Sequence, residues 1–309
     1  MSRSVWNHQT IWILHDRKKM KKILILIPVY NDWESLKKLI EEINENIKNF
    51  EEFNFECLIV NDASTLKAPE LLKPSRFSSL ELLNMRENKG HARCNAFGIR
   101  YIFQNKKFDN VILMDADGED RPEEITSLIK KIKENSNLSV VAKRVKRSEG
   151  FFFQFLYQLH KLITFIFTGQ NINFGNYCIL TKSDVEKIYS KASLWSSFSG
   201  SVKKYLKPLN QINSIRGLRY FGPSQMSLLK LIIHSLSIIA VFKYNVFLRS
   251  TLMLIVLSYS NSYLGNFAIF SQILIIIFNL IIFIISLRER EKDLLNSHKN
   301  LESIKKITH

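Results

Sequence analysis

Four times before residue 121 the chain runs through a short apolar stretch and ends it in a polar cluster. Ile23 to Pro28 leads into Tyr30-Asn31-Asp32, and Phe55 to Val60 into Asn61-Asp62-Ala63-Ser64. Leu80 to Met85 leads into Glu87-Asn88-Lys89-Gly90, and Val111 to Met114 into Asp115-Ala116-Asp117-Gly118-Glu119-Asp120. Apolar runs without polar alternation read as strands buried on both faces. Between them, Trp33, Leu36, Leu39, Ile40, Ile43 and Ile47 are spaced as the inner face of an amphipathic helix. A second helix is expected from about His91 to Phe103, where Ala92, Ala96 and Gly98 allow close packing on a sheet. A third runs from Pro122 to about Asn135, followed by a strand at Leu138 to Ala142. Strand and helix alternating at this spacing predict an α/β fold with a mostly parallel sheet. Ligands of such sheets sit beyond the carboxyl ends of the strands, where all four polar clusters fall.

The last cluster carries the sharpest chemistry. Asp115 and Asp117 are two residues apart, so in extended backbone their side chains leave one face. Two carboxylates so placed suit one hard divalent cation. Asp120 and Glu123 around Pro122 also read as a helix start. Convergence of the other clusters on the same edge assigns Asp115 and Asp117 to a metal and Asp120 with Pro122 to the helix. The net charge of +16 points to an anionic partner: nucleic acid, an anionic membrane face or a phosphorylated substrate. Cys57, Cys94 and Cys178 have no CxxC spacing, which argues against a disulfide framework or a zinc site.

Ile27-Pro28-Val29-Tyr30-Asn31-Asp32, Val60-Asn61-Asp62-Ala63-Ser64, Asn88-Lys89-Gly90 with its small-residue helix, and Met114-Asp115-Ala116-Asp117 occur in one order and spacing. Together they resemble family 2 glycosyltransferases over about residues 21 to 185, most closely the polyprenyl-phosphate sugar transferases of the dolichol-phosphate mannose synthase type. The resemblance implies a GT-A-type, Rossmann-like domain that binds a UDP- or GDP-linked sugar and transfers the sugar, with inversion, to a polyprenyl phosphate such as undecaprenyl or dolichyl phosphate. It implies that Asp32 and Asp62 lie near the nucleobase and ribose, that Pro28 and Tyr30 shape that pocket, and that Asn88, Gly90 and Asp115 also serve the donor. Asp115 and Asp117 would be catalytic, holding Mg2+ or Mn2+ with Glu119 as a further ligand. Arg144 matches an arginine that holds the acceptor phosphate in the family, with Arg147 as a second contact. One departure stands out: amides, Asn173 and Asn176, replace the acids that many relatives carry near Gly175. A phosphate monoester is already ionised at neutral pH and needs little help from a base, so the amides favour a phosphate acceptor over a sugar hydroxyl.

The second half reads as membrane-facing. Lys143-Arg144-Val145-Lys146-Arg147 is followed by Phe151, Phe152, Phe153, Phe155, Leu156, Leu159, Leu162, Ile163, Phe165, Ile166 and Phe167. A Phe-rich helix beside a cationic run fits an anionic leaflet better than a nucleic acid, which needs exposed aromatics interleaved with cations. Arg216 to Ser224 resembles the basic link before the family's membrane region, and Met226 to Tyr244 is a candidate amphipathic helix in which His234 reads as an interfacial residue. No residue between Arg249 and Arg288 is charged. Two spans of about 18 to 20 residues fit there, and a helical hairpin is expected, Val246 to Tyr263 and Asn266 to Leu287. Lys243, Arg249, Arg288, Arg290 and Lys292 flank its outer ends, which places them on the cytoplasmic side.

The expected organisation is a disordered leader over 1–20, a cytoplasmic catalytic domain over 21–215, a basic link and interface helix over 216–245, two membrane helices over 246–288 and a charged tail over 289–309. The expected location is the bacterial inner membrane or an equivalent, crossed more than once, with nucleic acid excluded as a partner and a homo-oligomer left open. Two rival readings stand: a transferase of the same fold acting on a glycan or other acceptor, and a non-catalytic membrane protein whose site has decayed, as Asn173 and Asn176 would suggest.

Overall fold

The computed structural model describes residues 20–146, 151–223 and 227–308. The expected leader therefore lies almost wholly outside the described residues. In chain order the elements are β1 (Lys21–Val29), α1 (Trp33–Asn46), β2 (Phe53–Asn61), β3 (Phe77–Met85), α2 (His91–Asn105), β4 (Asn110–Leu113), α3 (Ile125–Glu134), β5 (Val140–Lys146) and α4 (Phe151–Thr168). They continue with β6 (Phe174–Thr181), α5 (Lys182–Ile188), α6 (Phe198–Tyr205), β7 (Asn210–Ile215), α7 (Leu228–Ala240), α8 (Lys243–Tyr259), α9 (Asn261–Leu264), α10 (Asn266–Ser286), α11 (Glu291–Leu295) and β8 (Leu301–Ile307).

The strands form one eight-stranded sheet in the order β7-β5-β6-β4-β1-β2-β3-β8. Its middle, β3-β2-β1-β4, is parallel, as the apolar runs predict. Ile23, Ile25 and Ile27 face one core with Leu36, Leu39 and Ile43 of α1 and Leu128, Ile129 and Ile132 of α3. Leu24 and Leu26 face the other, with Phe97, Ile99 and Ile102 of α2 and helices α5 and α6. Each such side chain withdrawn from water contributes about 1.5–3 kcal/mol. The small residues of α2 serve as expected: a Cβ at Gly98 would lie 2.5 Å from the Leu26 side chain, so the helix sits tight on β1. In-register pairing of Val29 with Asn61 and Leu26 with Leu113 aligns the strand ends and brings the polar loops to one edge.

Beyond β4 the sheet departs from a plain parallel alternation. β6 enters antiparallel between β4 and β5, and β7 joins β5 in parallel. The segment expected to be a charged tail is structural instead: β8 pairs antiparallel with β3 and closes that edge.

The apolar region also differs from the expectation. The interface helix breaks after Ala240, and α7 and α8 meet at 83°. Among the described residues a single helix, the one starting at Asn266, is long and apolar enough to cross a membrane alone; α8 qualifies only jointly with α7. The reason lies in α8 itself. It has 17 residues, and Arg249, two turns in, donates to the Ile166 carbonyl at the end of α4 (2.7 Å). By length and composition the helices thus give one full span, with the bent α7 and α8 as a joint second candidate. Helices α4, α7, α8 and α10 share a small core around Ile239, Val246 and Ile282, while Leu248, Leu252, Phe270 and Ile277 remain exposed.

Candidate active site

The site is assembled from the loops that leave β1, β2, β3 and β4 at the carboxyl edge. After β1, Asn31 takes a left-handed φ of 52° and is tied to the next loop: its N–H donates to Ser64 Oγ (2.9 Å) and its Oδ1 accepts from the Leu66 N–H (3.0 Å). Pro28 is buried at the end of β1 and Tyr30 projects outward, 36% exposed. Asp32 stands at the N-cap of α1 without capping it, so its carboxylate is free for another use. After β2, Asp62 is buried and accepts from the N–H groups of Lys89 and Gly90, both at 2.8 Å. Burial pushes its pKa up, and these two N–H donors partly offset that. Asp62 thus fixes the loop in which Gly90, at φ +90°, opens α2. Asn88, in the same loop, is exposed.

The acidic knot follows β4. The Asp115 N–H donates to Asp120 Oδ2 (3.1 Å), which closes the turn. Asp117 Oδ1 accepts from the Glu119 N–H (3.1 Å), and the turn passes through Gly118 at φ +83°. A side chain at Gly118 would strike the ring of Tyr220. Asp115 Oδ1 lies 3.1 Å from His91 Nε2, and the Asn176 amide lies 2.8 Å from that nitrogen and 3.4 Å from Asp115 Oδ1. Burial works against the Asp115 anion, yet the adjacent His91 overrides it and holds the carboxyl well below its usual range. The same pair raises His91 above the ordinary imidazole value, against its own burial.

The neighbouring acids respond in the opposite sense. Burial and then the Asp115 charge raise Asp117 to about 6 and Asp120 to about 8. Carboxylates that repel one another in this way present the hard oxygen donors that a divalent cation neutralises. Asp115 and Asp117 fit Mg2+ or Mn2+ in the open style in which one or two carboxylates share the ion with substrate phosphates. Glu119, expected as a further ligand, pairs with Arg216. Among the described residues no group of three His, Cys, Asp or Glu side chains is arranged to hold a metal.

Arginines from the link after β7 reach back across this edge. Arg219 forks between Asp117 Oδ2 (2.9 Å) and Asp32 Oδ2, and all three side chains are 17% exposed. The backbone follows: the Gly217 N–H donates to the Glu119 carbonyl (2.9 Å) and the Tyr220 N–H to that of Asp117 (3.0 Å). The sequence marks this segment as basic but assigns it to the membrane approach; nothing local tells that it lies on the acids. His91 also escapes the sequence reading, since it carries no motif beyond following Gly90.

Arg144 on β5 comes to the same edge by another route. Its guanidinium rests on Gly175, where a Cβ would come within 2.5 Å of it, and lies 3.9 Å from Asp120. His234 of α7, read from sequence as a simple interfacial residue, lies within electrostatic reach of His91, Asp115 and Arg144. Arg147 falls outside the described residues.

The carboxylate pair and the facing arginine sit beyond the strand ends of an α/β sheet, the edge at which such sheets bind ligands. Residues 24–198 match the family described as Glycosyl transferase family 2, and the chain belongs to that family. Among curated proteins it is similar to the undecaprenyl-phosphate 4-deoxy-4-formamido-L-arabinose transferases of Serratia proteamaculans and Yersinia enterocolitica. It is 27% identical to the first over 69% of this chain and 65% of that one, and 27% identical to the second over 71% and 67%. The matched region thus spans about two thirds of those relatives. Among solved structures, glucosyl-3-phosphoglycerate synthase from Mycobacterium tuberculosis, in complex with Mn2+, uridine-diphosphate-glucose and phosphoglyceric acid, has the same fold. It aligns with a TM-score of 0.50 at 14% identity, over 79% of this chain and 85% of that one.

Proposed function

We propose that the protein moves a sugar from a nucleoside-diphosphate donor to a polyprenyl phosphate at the cytoplasmic face of a membrane. One observation carries the reading. Arg144 faces the acid knot from β5, and the helix that follows it, α4, exposes Phe155, Leu159, Leu162 and Phe165. An arginine that can fork onto a phosphate, next to a surface made for acyl or prenyl chains, suits an amphiphilic phosphate as acceptor. The curated relatives named above carry undecaprenyl phosphate in their names, which supports the same class of acceptor.

In this reading Asp32 and Asp62 line the nucleoside side of the pocket with Pro28 and Tyr30, and the Asn88 to Gly90 loop completes it. Asp115 and Asp117 hold the divalent cation, which when bound neutralises charge gathering on the leaving diphosphate. His91 and Asn176 keep Asp115 ionised and oriented. Arg144 holds the acceptor phosphate so that its oxygen attacks the anomeric carbon as the bond to the diphosphate breaks. A single displacement inverts that carbon. No carboxylate is needed to take a proton, because the attacking phosphate is already an anion; amides at Asn173 and Asn176 are compatible with that. The apolar helix from Asn266, together with the bent α7 and α8, anchors the domain.

The test is a transfer assay in detergent with radiolabelled nucleotide sugars and undecaprenyl or dolichyl phosphate. Organic-extractable label is expected. Label that appears only in a water-soluble or polysaccharide product sinks the proposal.

A further inference from the structure

A second basic cavity, separate from the acid knot, lies between the loop after β3, the first turn of α2 and the far end of α10. Its volume is about 650 Å³, in the range of small-molecule sites. Six cationic side chains line it against two carboxylates. The two acids are already used: Glu87 pairs with Lys89, and Asp293 lies 3.7 Å from Arg290. Arg86, Arg93, Arg288 and Lys299 have no carboxylate partner among the described residues. Burial, and then the charge of Arg288, lowers the Arg93 pKa, with Asp293 acting the other way.

The cavity is built rather than incidental. Asn300 stitches its wall: its carbonyl accepts from the Arg86 N–H (2.8 Å) and its amide donates to the Glu87 carbonyl (3.0 Å). Arg93 is held by the Lys89 carbonyl (2.9 Å) and stands over the Trp195 ring at 5.7 Å. Ser297 lines the cavity at 4% exposure, and its hydroxyl finds no hydrogen-bond partner among the described residues. A buried hydroxyl left unpaired is destabilising, so a donor or acceptor on an occupant would satisfy it. At the mouth, Ile284 and Leu287 of the last turns of α10 are 55% and 56% exposed.

We infer that this cavity binds the phosphate headgroup of a membrane lipid, its cations and Ser297 taking the phosphate while Ile284 and Leu287 meet the chain. Cations alone would suit any phosphate; the apolar rim at the end of the apolar helix selects one that carries a hydrocarbon chain. The inference rests on the membrane-anchored reading above. It also reaches the donor pocket, because Lys89 sits on the cavity wall while its N–H holds Asp62.

The test uses the full chain in detergent with soluble probes: dihexanoyl-phosphatidylglycerol, dihexanoyl-phosphatidylcholine, geranyl phosphate and inorganic phosphate. The double variant R86Q/R288Q removes two side chains that make no hydrogen bond or ion pair among the described residues, and its melting temperature checks that it folds; K299Q replaces it if it does not. Wild type is expected to bind the phosphatidylglycerol at least fivefold more tightly than the phosphatidylcholine, and the variant to lose that preference. No preference, or one that survives in the variant, overturns the site. Inorganic phosphate displacing the lipid at equal concentration overturns a lipid source. Geranyl phosphate competing for the variant-sensitive site supports a prenyl phosphate as occupant, and failure to compete supports a phospholipid. Flotation with phosphatidylcholine vesicles separates the two readings: a chain that stays in solution yet keeps the preference loses the anchor and retains the pocket.

Discussion

Two arginines at the same sheet edge live in opposite surroundings. Arg219 is committed, both terminal nitrogens forked between Asp32 and Asp117. Arg144 is 18% exposed, makes no side-chain hydrogen bond among the described residues, and has its nearest carboxylate at 3.9 Å. In the proposed reading the donor side is thus neutralised from within, by a segment more than 180 residues from Asp32, whereas the proposed acceptor side keeps a more loosely paired cation. An anion arriving at Arg144 would meet no side-chain hydrogen bond among the described residues, only the loose pairing with Asp120. A metal and diphosphate arriving at Asp117 meet an occupied carboxylate, and Arg219 must give up at least one of its two bonds. The contrast predicts that changes on the two sides separate in what they damage.

The largest effect belongs to the carboxylate that both the metal and Arg219 claim. Asp117→Asn should lower transfer by about 1,000-fold, the scale on which a charge-stabilising group at a reacting centre is worth. It should also abolish metal-dependent nucleotide binding, read by thermal shift; transfer undiminished in the variant would remove Asp117 from the reacting centre. Arg144→Gln comes next. Losing charge-assisted bonds to a phosphate should cost about 100-fold in kcat/KM for the prenyl phosphate, with donor binding unaltered. A variant that weakened donor and acceptor alike would dissolve the distinction between the two sides.

The parts of this architecture differ in how they are written in the chain. The parallel strands are legible because a strand covered on both faces must be apolar there, and β1 from Ile23 and β4 from Val111 are. Edge strands carry no such mark. β7 is Asn-Gln-Ile-Asn-Ser-Ile and β8 is Leu-Glu-Ser-Ile-Lys-Lys-Ile, largely exposed and polar, as strands that must resist pairing with other chains tend to be; β8 therefore passes for a solvated tail. The carboxylates of the site are legible because they end apolar runs. Their partners are not: Arg216 and Arg219 lie about a hundred residues beyond Glu119 and Asp117, and a basic link reads equally well as a membrane approach. His91 is found only when the fold sets the start of α2 beside the end of β4.

Arg219→Gln tests the self-neutralised state directly. Removing the fork leaves Asp32 and Asp117 as neighbouring, largely buried carboxylates without the cation that bridges them, and only Arg216 still acts on Asp117. In chelator this should destabilise the folded domain by about 2 kcal/mol, measured by urea denaturation. Excess Mn2+ should recover much of the loss, because it replaces the missing charge. A loss of equal size with and without the metal would mean that Arg219 holds the link in place rather than the charge balance.

The smallest effect expected is a pH dependence on the Arg144 side. Asp120 is raised to about 8 by burial first and then by Asp115, while its ordinary value is 3.8. Between those values the folded carboxyl keeps a proton that the unfolded chain has released. Stability contributed by the neutral form is therefore fully present below about pH 4 and is lost as pH rises toward 8. Asp117, raised to about 6, adds to the same slope over its lower part. Asp120→Asn fixes the neutral form, keeps an amide oxygen for the Asp115 N–H, and should flatten the decline between pH 6 and 8, a gain of about 1 kcal/mol at pH 8 once solvent access and the nearby Arg144 are discounted. Melting temperatures of wild type and variant in chelator across that window decide it. If the variant falls as steeply as wild type, Arg144 already holds Asp120 as a paired anion, and the acceptor arginine is then no freer than Arg219.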